Sequence, residues 1–594
     1  MESVDVTVIG AGWSGLAALK TYHQVHPTAS ILLLEAASSV GGVWAKHRLY
    51  AGLKSNNMRG TYEFSDFPMD DSFGVKEGQH IPGAVIQEYM EKYLAHHNLT
   101  DYVRLNTRVR IADRNDDDTW TLSITSPAGD ATLHSKKLIV CTGITSQPFL
   151  PRFAGEEAFA APLFHTRDLL QYQDALLQPN KRITVFGGTK SAWDAVYAAA
   201  TAGAHVDWII RDNGHGPVWM APPYVTPLKK WLEKLVTTRF LTFFSPCIWG
   251  DADTNTGIRR FLHNTWAGRK MVDTFWGVLA NDVITLNAYD AHPETAKLKP
   301  WISPFWIAAG LSILNYPTDF FDLVRDGRVR IHIDQIDRLS DHAVHLKSQS
   351  AAPDAEPLAS DALICATGWQ ATPNIEFRPA SLNTTLGFPW APDSLPEELT
   401  KAADAEILRR FPRLVDQPVP ANPAPYAPLA EDAPATARHP FRLARFMVPP
   451  ALASARSIAF MGITMTINTT MVAQAQALWI AAYFGGSLAP AARETCPESV
   501  KSALSGKDDS VDVDLLWETA LHSQFGVHRY PGGFGRRNPD FVFDALPYVD
   551  LLLGDLGVDI CRKGAMRWFE PYGMEDYRGL VEEYLSKTNL PVDR

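Results

Sequence analysis

Two glycine-rich turns carry the chemistry legible in this chain, and each is followed about twenty residues later by a charged side chain of opposite sign. The first turn is Gly10-Ala11-Gly12-Trp13-Ser14-Gly15, with Glu35 lying twenty residues past Gly15. The second is Gly187-Gly188-Thr189-Lys190-Ser191-Ala192, with Arg211 beyond it. In the first, Gly10 permits a tight turn, Gly12 lets backbone approach a pyrophosphate, and Gly15 lets a helix pack closely on a strand. The free N–H groups and dipole of that helix's N-terminus attract phosphate. Glu35 can accept both hydroxyl hydrogen bonds of an adenosine ribose and would repel a 2′-phosphate. Arg211 inverts this, offering a planar fork for a phosphate, with Lys190 as a second candidate cation. Two units with opposite charge at the ribose imply one ligand with a free ribose, such as FAD, and one with a 2′-phosphate, NADPH.

These residues need strands and helices to hold them. Val4, Val6, Val8 and Ile9 read as a buried parallel strand running into the first turn, Leu16 to Gln24 as a helix, and Ile31 to Leu34 as the strand that ends at Glu35. A second glycine pair, Gly41-Gly42-Val43-Trp44, marks another close backbone approach, with Trp44 able to stack. Leu53 to Arg59 is polar where a buried connection would be apolar, which fits a loop lining a site. An amphipathic helix is expected over Pro82 to His97. Strands are expected over Val103 to Ile111, Thr119 to Ile124 and Lys137 to Cys141, the last ending in Thr142-Gly143. The second turn sits between Arg182–Phe186 and a helix, with His205 to Ile210 leading to Arg211.

Residues 213–317 loosen into a helical insertion rich in tryptophan (Trp219, Trp231, Trp249, Trp266, Trp276, Trp301, Trp306), of the kind that shapes a substrate cavity. Its longest apolar run, Phe305 to Leu314, reads as a buried helix or pocket wall. Strands resume in Asp322 to Lys347. The strand and Thr367-Gly368 of Asp361–Trp369 mark a return to the first domain. Ten prolines between Pro412 and Pro450 indicate an extended connector. A buried strand at Ile458–Gly462, a helix at Met471–Phe484 and an exposed helix at Glu575–Lys587 follow. The expected fold is α/β, with two Rossmann-like dinucleotide-binding domains, a helical insertion and a helical C-terminal region. The domains are residues 1–165 (FAD, first part), 166–355 (NADPH, with the insertion) and 356–594 (FAD completion, connector and C-terminal region).

The 594 residues suffice for several domains, and 46% hydrophobic with 20% charged content is ordinary for a globular protein. A formal charge of −11 argues against a nucleic-acid partner. Five widely spaced cysteines without CxxC argue against a dithiol centre, a zinc site and a disulfide framework, and no histidine spacing suggests a metal. There is no signal-like N-terminus and no apolar run of spanning length, so the protein is read as soluble and cytoplasmic. Oligomeric state is not legible.

At these residues the chain resembles the flavin-containing monooxygenases, the class B flavoprotein monooxygenases, in their larger fungal-type branch. The resemblance rests on an ordered set: GAGWSG at Gly10, GGVW at Gly41, LKSN ending at Asn56, CTG at Cys141, the turn at Gly187 and ATGW at Ala366. The family fingerprint, Phe-x-Gly then a histidine and an aromatic, appears from Phe159 to Leu169, with Ala161 for the glycine and Leu169 for the aromatic. The second turn also departs, with Thr189 and Ala192 at glycine positions.

The resemblance implies that NADPH reduces FAD and that a flavin C4a-(hydro)peroxide oxygenates the substrate. It implies catalytic roles for Asn56, beside the flavin, and Arg59, and a structural one for His165. It extends the cofactor-binding set to Val109, Ser191 and Thr367. N- or S-oxygenation, or a related hydroxylation, of a fairly bulky apolar, natural-product-like molecule is favoured, because Leu169 stands where Baeyer–Villiger enzymes carry tryptophan. Baeyer–Villiger insertion is the alternative; an NADPH oxidase, a flavin reductase and a non-catalytic binding protein have less support.

Overall fold

The computed structural model describes residues 2–225, 229–307, 310–350, 356–419, 424–488, 492–504, 512–564 and 567–588. Pro420 and Pro423 of the proline-rich stretch, and Ala308 and Ala309 of the long apolar run, lie outside them. Two sheets organise the molecule. In the larger, eight strands run in the order Glu376–Arg378, Arg108–Arg114, Trp120–Ser126, Gly129–Val140, Glu2–Ile9, Ile31–Leu34, Val103–Arg104, with Ile458–Phe460 also pairing with Gly129–Val140. Gly129–Val140 lies antiparallel to Trp120–Ser126 and parallel to both Glu2–Ile9 and Ile458–Phe460. The smaller sheet is wholly parallel: Leu163–His165, Ala362–Cys365, Arg182–Phe186, His205–Ile210, Val329–Ile333.

Apolar strands buried on both faces explain the parallel cores, since helices cover a parallel sheet. Ile31–Leu34 is buried at every residue. The helix Trp13–Val25 packs on the first sheet and against Thr469–Phe484, which is buried over nearly its whole circumference. Gly83–His96 is the amphipathic helix expected from its pattern.

Several expectations change. The strand expected over Val103 to Ile111 is two: Val103–Arg104 joins one edge of the large sheet and Arg108–Arg114 lies five places away, with four strands between them. The break at Asn106, whose φ is +52°, lets the chain cross over. The strand Ala362–Cys365 does not return the chain to the first domain; it pairs between Leu163–His165 and Arg182–Phe186 in the second sheet. The proline-rich stretch is not a free connector. Phe441, Leu443, Met447 and Val448 are core residues, and the backbone N–H groups of Ala424 and Ala427 donate to the carbonyls of Asp212 and Asn213. The C-terminal helix, Leu580–Thr588, buries Leu580, Val581, Tyr584 and Leu585 rather than standing exposed. The described part of the run expected as a buried helix or pocket wall holds a short 3-10 turn, Pro304–Trp306, and a strand, Leu311–Ile313, parallel to Trp219–Ala221.

The insertion's tryptophans serve mainly as core. Trp219, Trp249, Trp276 and Trp306 are buried, and Trp249 packs edge-on against Phe446, Phe525 and Phe541. Buried ion pairs, Arg239 with Asp550 and Arg445 with Glu518 and Asp555, tie the insertion and the 439–450 segment to the C-terminal helices. Among the described residues no helix is long and apolar enough to cross a membrane.

Candidate functional site

The first turn is held by backbone contact that only glycine allows. Gly10 has φ +106°, and a Cβ there would stand 2.5 Å from the Cys141 carbonyl oxygen; one on Gly15 would stand 1.8 Å from the Gly10 carbonyl oxygen. The helix that starts after Gly12 has no side-chain cap, so its first N–H groups are available to an anion. Glu35 is locked from both sides: Oε2 accepts from the Ala11 N–H and Oε1 from the Ala37 N–H, each at 2.7 Å. The Gly41 N–H donates to the Ala11 carbonyl, which seats the second glycine pair so that a Cβ on Gly42 would lie 3.0 Å from Gly12 Cα. From far along the chain Gly462 closes on Ser14, its would-be Cβ 2.8 Å from the Ser14 Oγ.

The second turn repeats the plan with looser parts. Gly187 has φ +131° and its Cβ would stand 2.4 Å from the Ala366 carbonyl oxygen, as Gly10 does beneath Cys141. The helix Lys190–Thr201 follows Thr189, whose hydroxyl does not cap it. Arg211 Nη1 donates to Asn213 Oδ1 at 3.0 Å and to the Ala427 carbonyl at 3.1 Å, and burial pushes the guanidinium below its usual pKa. Lys190 is not available as a second cation. Its ammonium is paired with Asp194, donates to Asn315 Oδ1 at 3.0 Å and lies over the Tyr316 ring.

Both turns open into one cleft of about 1320 Å³. From the first unit it is lined by Gly10, Gly12, Trp13, Ser14, Glu35, Gly42, Val43 and Trp44, with Val109, Thr142 and Gly143. From the second come Gly187, Thr189, Lys190, Ser191 and Arg211, with Thr367 and Gly368. Gly15 lies behind the wall, packed on Gly10. Arg59 does not reach the cleft: its guanidinium donates to the carbonyls of Met69 and Val75 and pairs with Asp71, bracing a surface turn. None of the insertion's tryptophans lines the cleft; those that do are Trp13, Trp44 and Trp369. The glycine cradles fit flat or charged groups: a Cβ on Gly368 would meet nothing within 4 Å.

Asn56 lies in the strand Lys54–Met58, paired antiparallel with His80–Pro82. Asn56 lines the cleft, and its carboxamide makes no hydrogen bond to another described residue. Asn57, one residue on, is committed elsewhere, donating to Glu233 Oε1 at 2.5 Å and to the Ile467 carbonyl at 2.9 Å. Glu233 also accepts from Met58 N–H, Thr61 Oγ1 and Trp231 Nε1, and burial raises its pKa to about 7. On the strand's other side Asn315 Nδ2 donates to the carbonyls of Lys54 and Ser55, both at 3.1 Å, and so joins it to Lys190. Glu233 and Asn315 escaped the sequence reading because neither sits in a motif, and Glu233 stands beside Lys234, as a solvated helix face would have it. His165 is buried beside Trp369, ring centroids 4.6 Å apart, and burial lowers its pKa to about 4, so it is neutral at pH 7. Arg48 lines the cleft, donating to the Thr145 carbonyl at 3.1 Å.

Two dinucleotide-type turns sharing one cleft define a two-nucleotide oxidoreductase. Comparison with known proteins gives the class its name. Residues 3–245 match the family model described as Flavin-binding monooxygenase-like. The FAD-dependent monooxygenase resA of Aspergillus sclerotiorum is 33% identical over 606 aligned residues, covering 98% of each chain. A FAD-dependent monooxygenase of Pyrenophora dematioidea is 34% identical, covering 94% of this chain and 98% of its own. The solved cyclohexanone monooxygenase from Rhodococcus sp. Phi1 bound to NADP+ matches with a TM-score of 0.56 over 94% of this chain and 98% of that one; at 16% identity the likeness is one of fold. The chain belongs to the flavin monooxygenase family, in its fungal branch, and is a flavin-dependent oxidoreductase.

Proposed function

We propose that this monooxygenase N- or S-oxygenates, or hydroxylates, a small apolar organic molecule of natural-product type, with FAD at the Gly10 turn and NADPH at the Gly187 turn. The observation that carries the reading is the single cleft onto which both uncapped helix N-termini open, lined by both Glu35 and Arg211. FAD reduced by NADPH supplies the activated oxygen. The chain's own part is to place and shield. Gly12 and Gly42 admit a pyrophosphate to the helix N-terminus, and Glu35 takes the ribose. Asn56, on the wall of that cleft, offers a carboxamide without a partner among the described residues, on a strand held by the Glu233–Asn57 and Asn315 hydrogen bonds. The role proposed for Asn56 is to donate to the oxygen being transferred and keep water from discharging it. Asn56→Ala should then still consume NADPH while most of the oxygen leaves as hydrogen peroxide; a variant as well coupled as the wild type removes that role.

Baeyer–Villiger insertion is the second reading, and Arg48 favours it. Its guanidinium lines the cleft without an ion pair among the described residues, where it can stabilise an oxygen anion attacking a ketone. Incubation with NADPH, ¹⁸O₂ and a panel of amines, thioethers and cyclic ketones separates the two. Labelled N- or S-oxides support the first reading, whereas labelled lactones with heteroatoms untouched overturn it.

A further inference from the structure

The rim of the cleft around Arg211 is assembled from three segments distant in sequence. The first is the loop after Arg211, which carries His215. The second is the described part of the proline-rich stretch, which brings Tyr426 and whose Ala427 carbonyl accepts from Arg211. The third is the turn at Gly532 and Gly533 leading into the short helix Phe534–Arg537. They are fastened together at His215. Its Nε2 lies 2.8 Å from the Gly532 carbonyl oxygen, and its ring centroid lies 4.6 Å from that of Tyr426 and 4.1 Å from that of Phe534. Arg537 extends this wall: its Cζ is 4.6 Å from the Phe534 ring centroid, and it lines the same cleft as Arg211 and Tyr426.

Arg537 has no carboxylate in ion-pair contact among the described residues, although Asp540 lies near enough to favour its charge electrostatically. Its Nε donates to Asn538 Oδ1 at 3.3 Å. Burial disfavours its charge, and both it and Arg211 act electrostatically on the Tyr426 hydroxyl. A desolvated guanidinium is costly unless something anionic meets it. Two such groups converge at the end of the cleft where a dinucleotide in the second unit would place its ribose, and Lys190 is already neutralised by Asp194. A phosphate monoester carries about two negative charges near neutral pH, enough to balance both.

We propose that Arg537, presented with Tyr426 by the folded-over proline-rich and C-terminal segments, is the second cation for the 2′-phosphate of NADPH, acting beside Arg211. This rests on the placing of NADPH at the second turn.

The test is calorimetric titration of the FAD-loaded protein with 2′,5′-ADP and with 5′-AMP, for the wild type, Arg537→Gln, Arg537→Ala and Tyr426→Phe. The wild type should bind 2′,5′-ADP far more tightly than 5′-AMP; without that preference, the placing of NADPH itself fails. Given the preference, both Arg537 variants should lose about ten- to a hundredfold in 2′,5′-ADP affinity, as expected for a lost charged hydrogen bond, with 5′-AMP binding unchanged. Tyr426→Phe should lose less. Equal weakening of both ligands, or an undiminished preference in Arg537→Gln, would show that Arg537 packs the wall or meets another phosphate, and overturns the proposal while leaving the placing of NADPH intact.

Discussion

The two glycine turns are the same device built to different tolerances. In both, a glycine with positive φ slides under a carbonyl, Gly10 under Cys141 and Gly187 under Ala366, and a helix without a side-chain cap follows. The first is tightened further: Gly15 brings its helix onto the Gly10 carbonyl, and Glu35 is tied to backbone on both sides. The second has Ala192 where the first has Gly15, and its charged residue is steadied by Asn213 and by a carbonyl from the proline-rich segment. A site whose turn and charged residue are fixed by close backbone contacts suits a ligand that stays bound. One whose rim comes from distant segments suits a ligand that enters and leaves each turnover.

That contrast can be broken most severely at Gly15. Gly15→Ala puts a methyl group into the Gly10 carbonyl, an overlap costing about 1–3 kcal/mol or more, so the purified protein should lack flavin absorbance. Full flavin loading would show that the first unit is no tighter than the second. The wall shared by the two units rests on Glu233, whose carboxyl is raised from 4.5 to about 7 by burial. Between those values the folded protein holds a proton that the unfolded chain releases, so stability falls as pH rises through that window, by about 3 kcal/mol. Glu233→Gln should flatten that fall, read as melting temperature at pH 5 and pH 7.5; an unchanged slope removes Glu233 as its source. Arg211→Ala should raise the KM for NADPH roughly ten- to a hundredfold with little change for NADH, an effect of about 1.5–3 kcal/mol. Equal use of both nucleotides by the wild type would leave the charge contrast without meaning. The smallest effect belongs to Ala192→Gly, the mirror of the first substitution. It should cost about 1 kcal/mol of helix propensity and leave NADPH use intact, as steady-state kinetics will show.

The turns, Glu35, Arg211 and the strands that carry them are legible because their residue types answer to local geometry: a positive φ, a close carbonyl, a buried parallel strand. What was not legible depends on contacts between distant segments. Lys190 reads as a phosphate ligand until Asp194 and Asn315 are seen around it. Arg59 reads as part of the site until Met69, Asp71 and Val75 draw it away. The proline-rich stretch reads as a spacer because proline lacks an N–H, yet Phe441, Leu443 and Val448 give it a face to bury. The tryptophans of the insertion read as pocket because tryptophan is common in both pockets and cores; the C-terminal helices they pack against decide between the two.

The pairing of Ile458–Phe460 with Leu138–Val140 has a consequence in time. Val140 and Ile458 are 318 positions apart, so at roughly 5–20 residues per second of synthesis the strand Gly129–Val140 waits about 16–64 s for that neighbour. During that interval one edge of Leu138–Val140 offers unpaired N–H and carbonyl groups to any strand nearby, including that of another nascent chain. The Ser14 side of the first turn stays open for as long, because Gly462 arrives just after that late strand. A ribosome that stalls or stops before residue 458 therefore releases a chain with a nearly complete first turn and an adhesive sheet edge, the species a cell's chaperones would have to recognise.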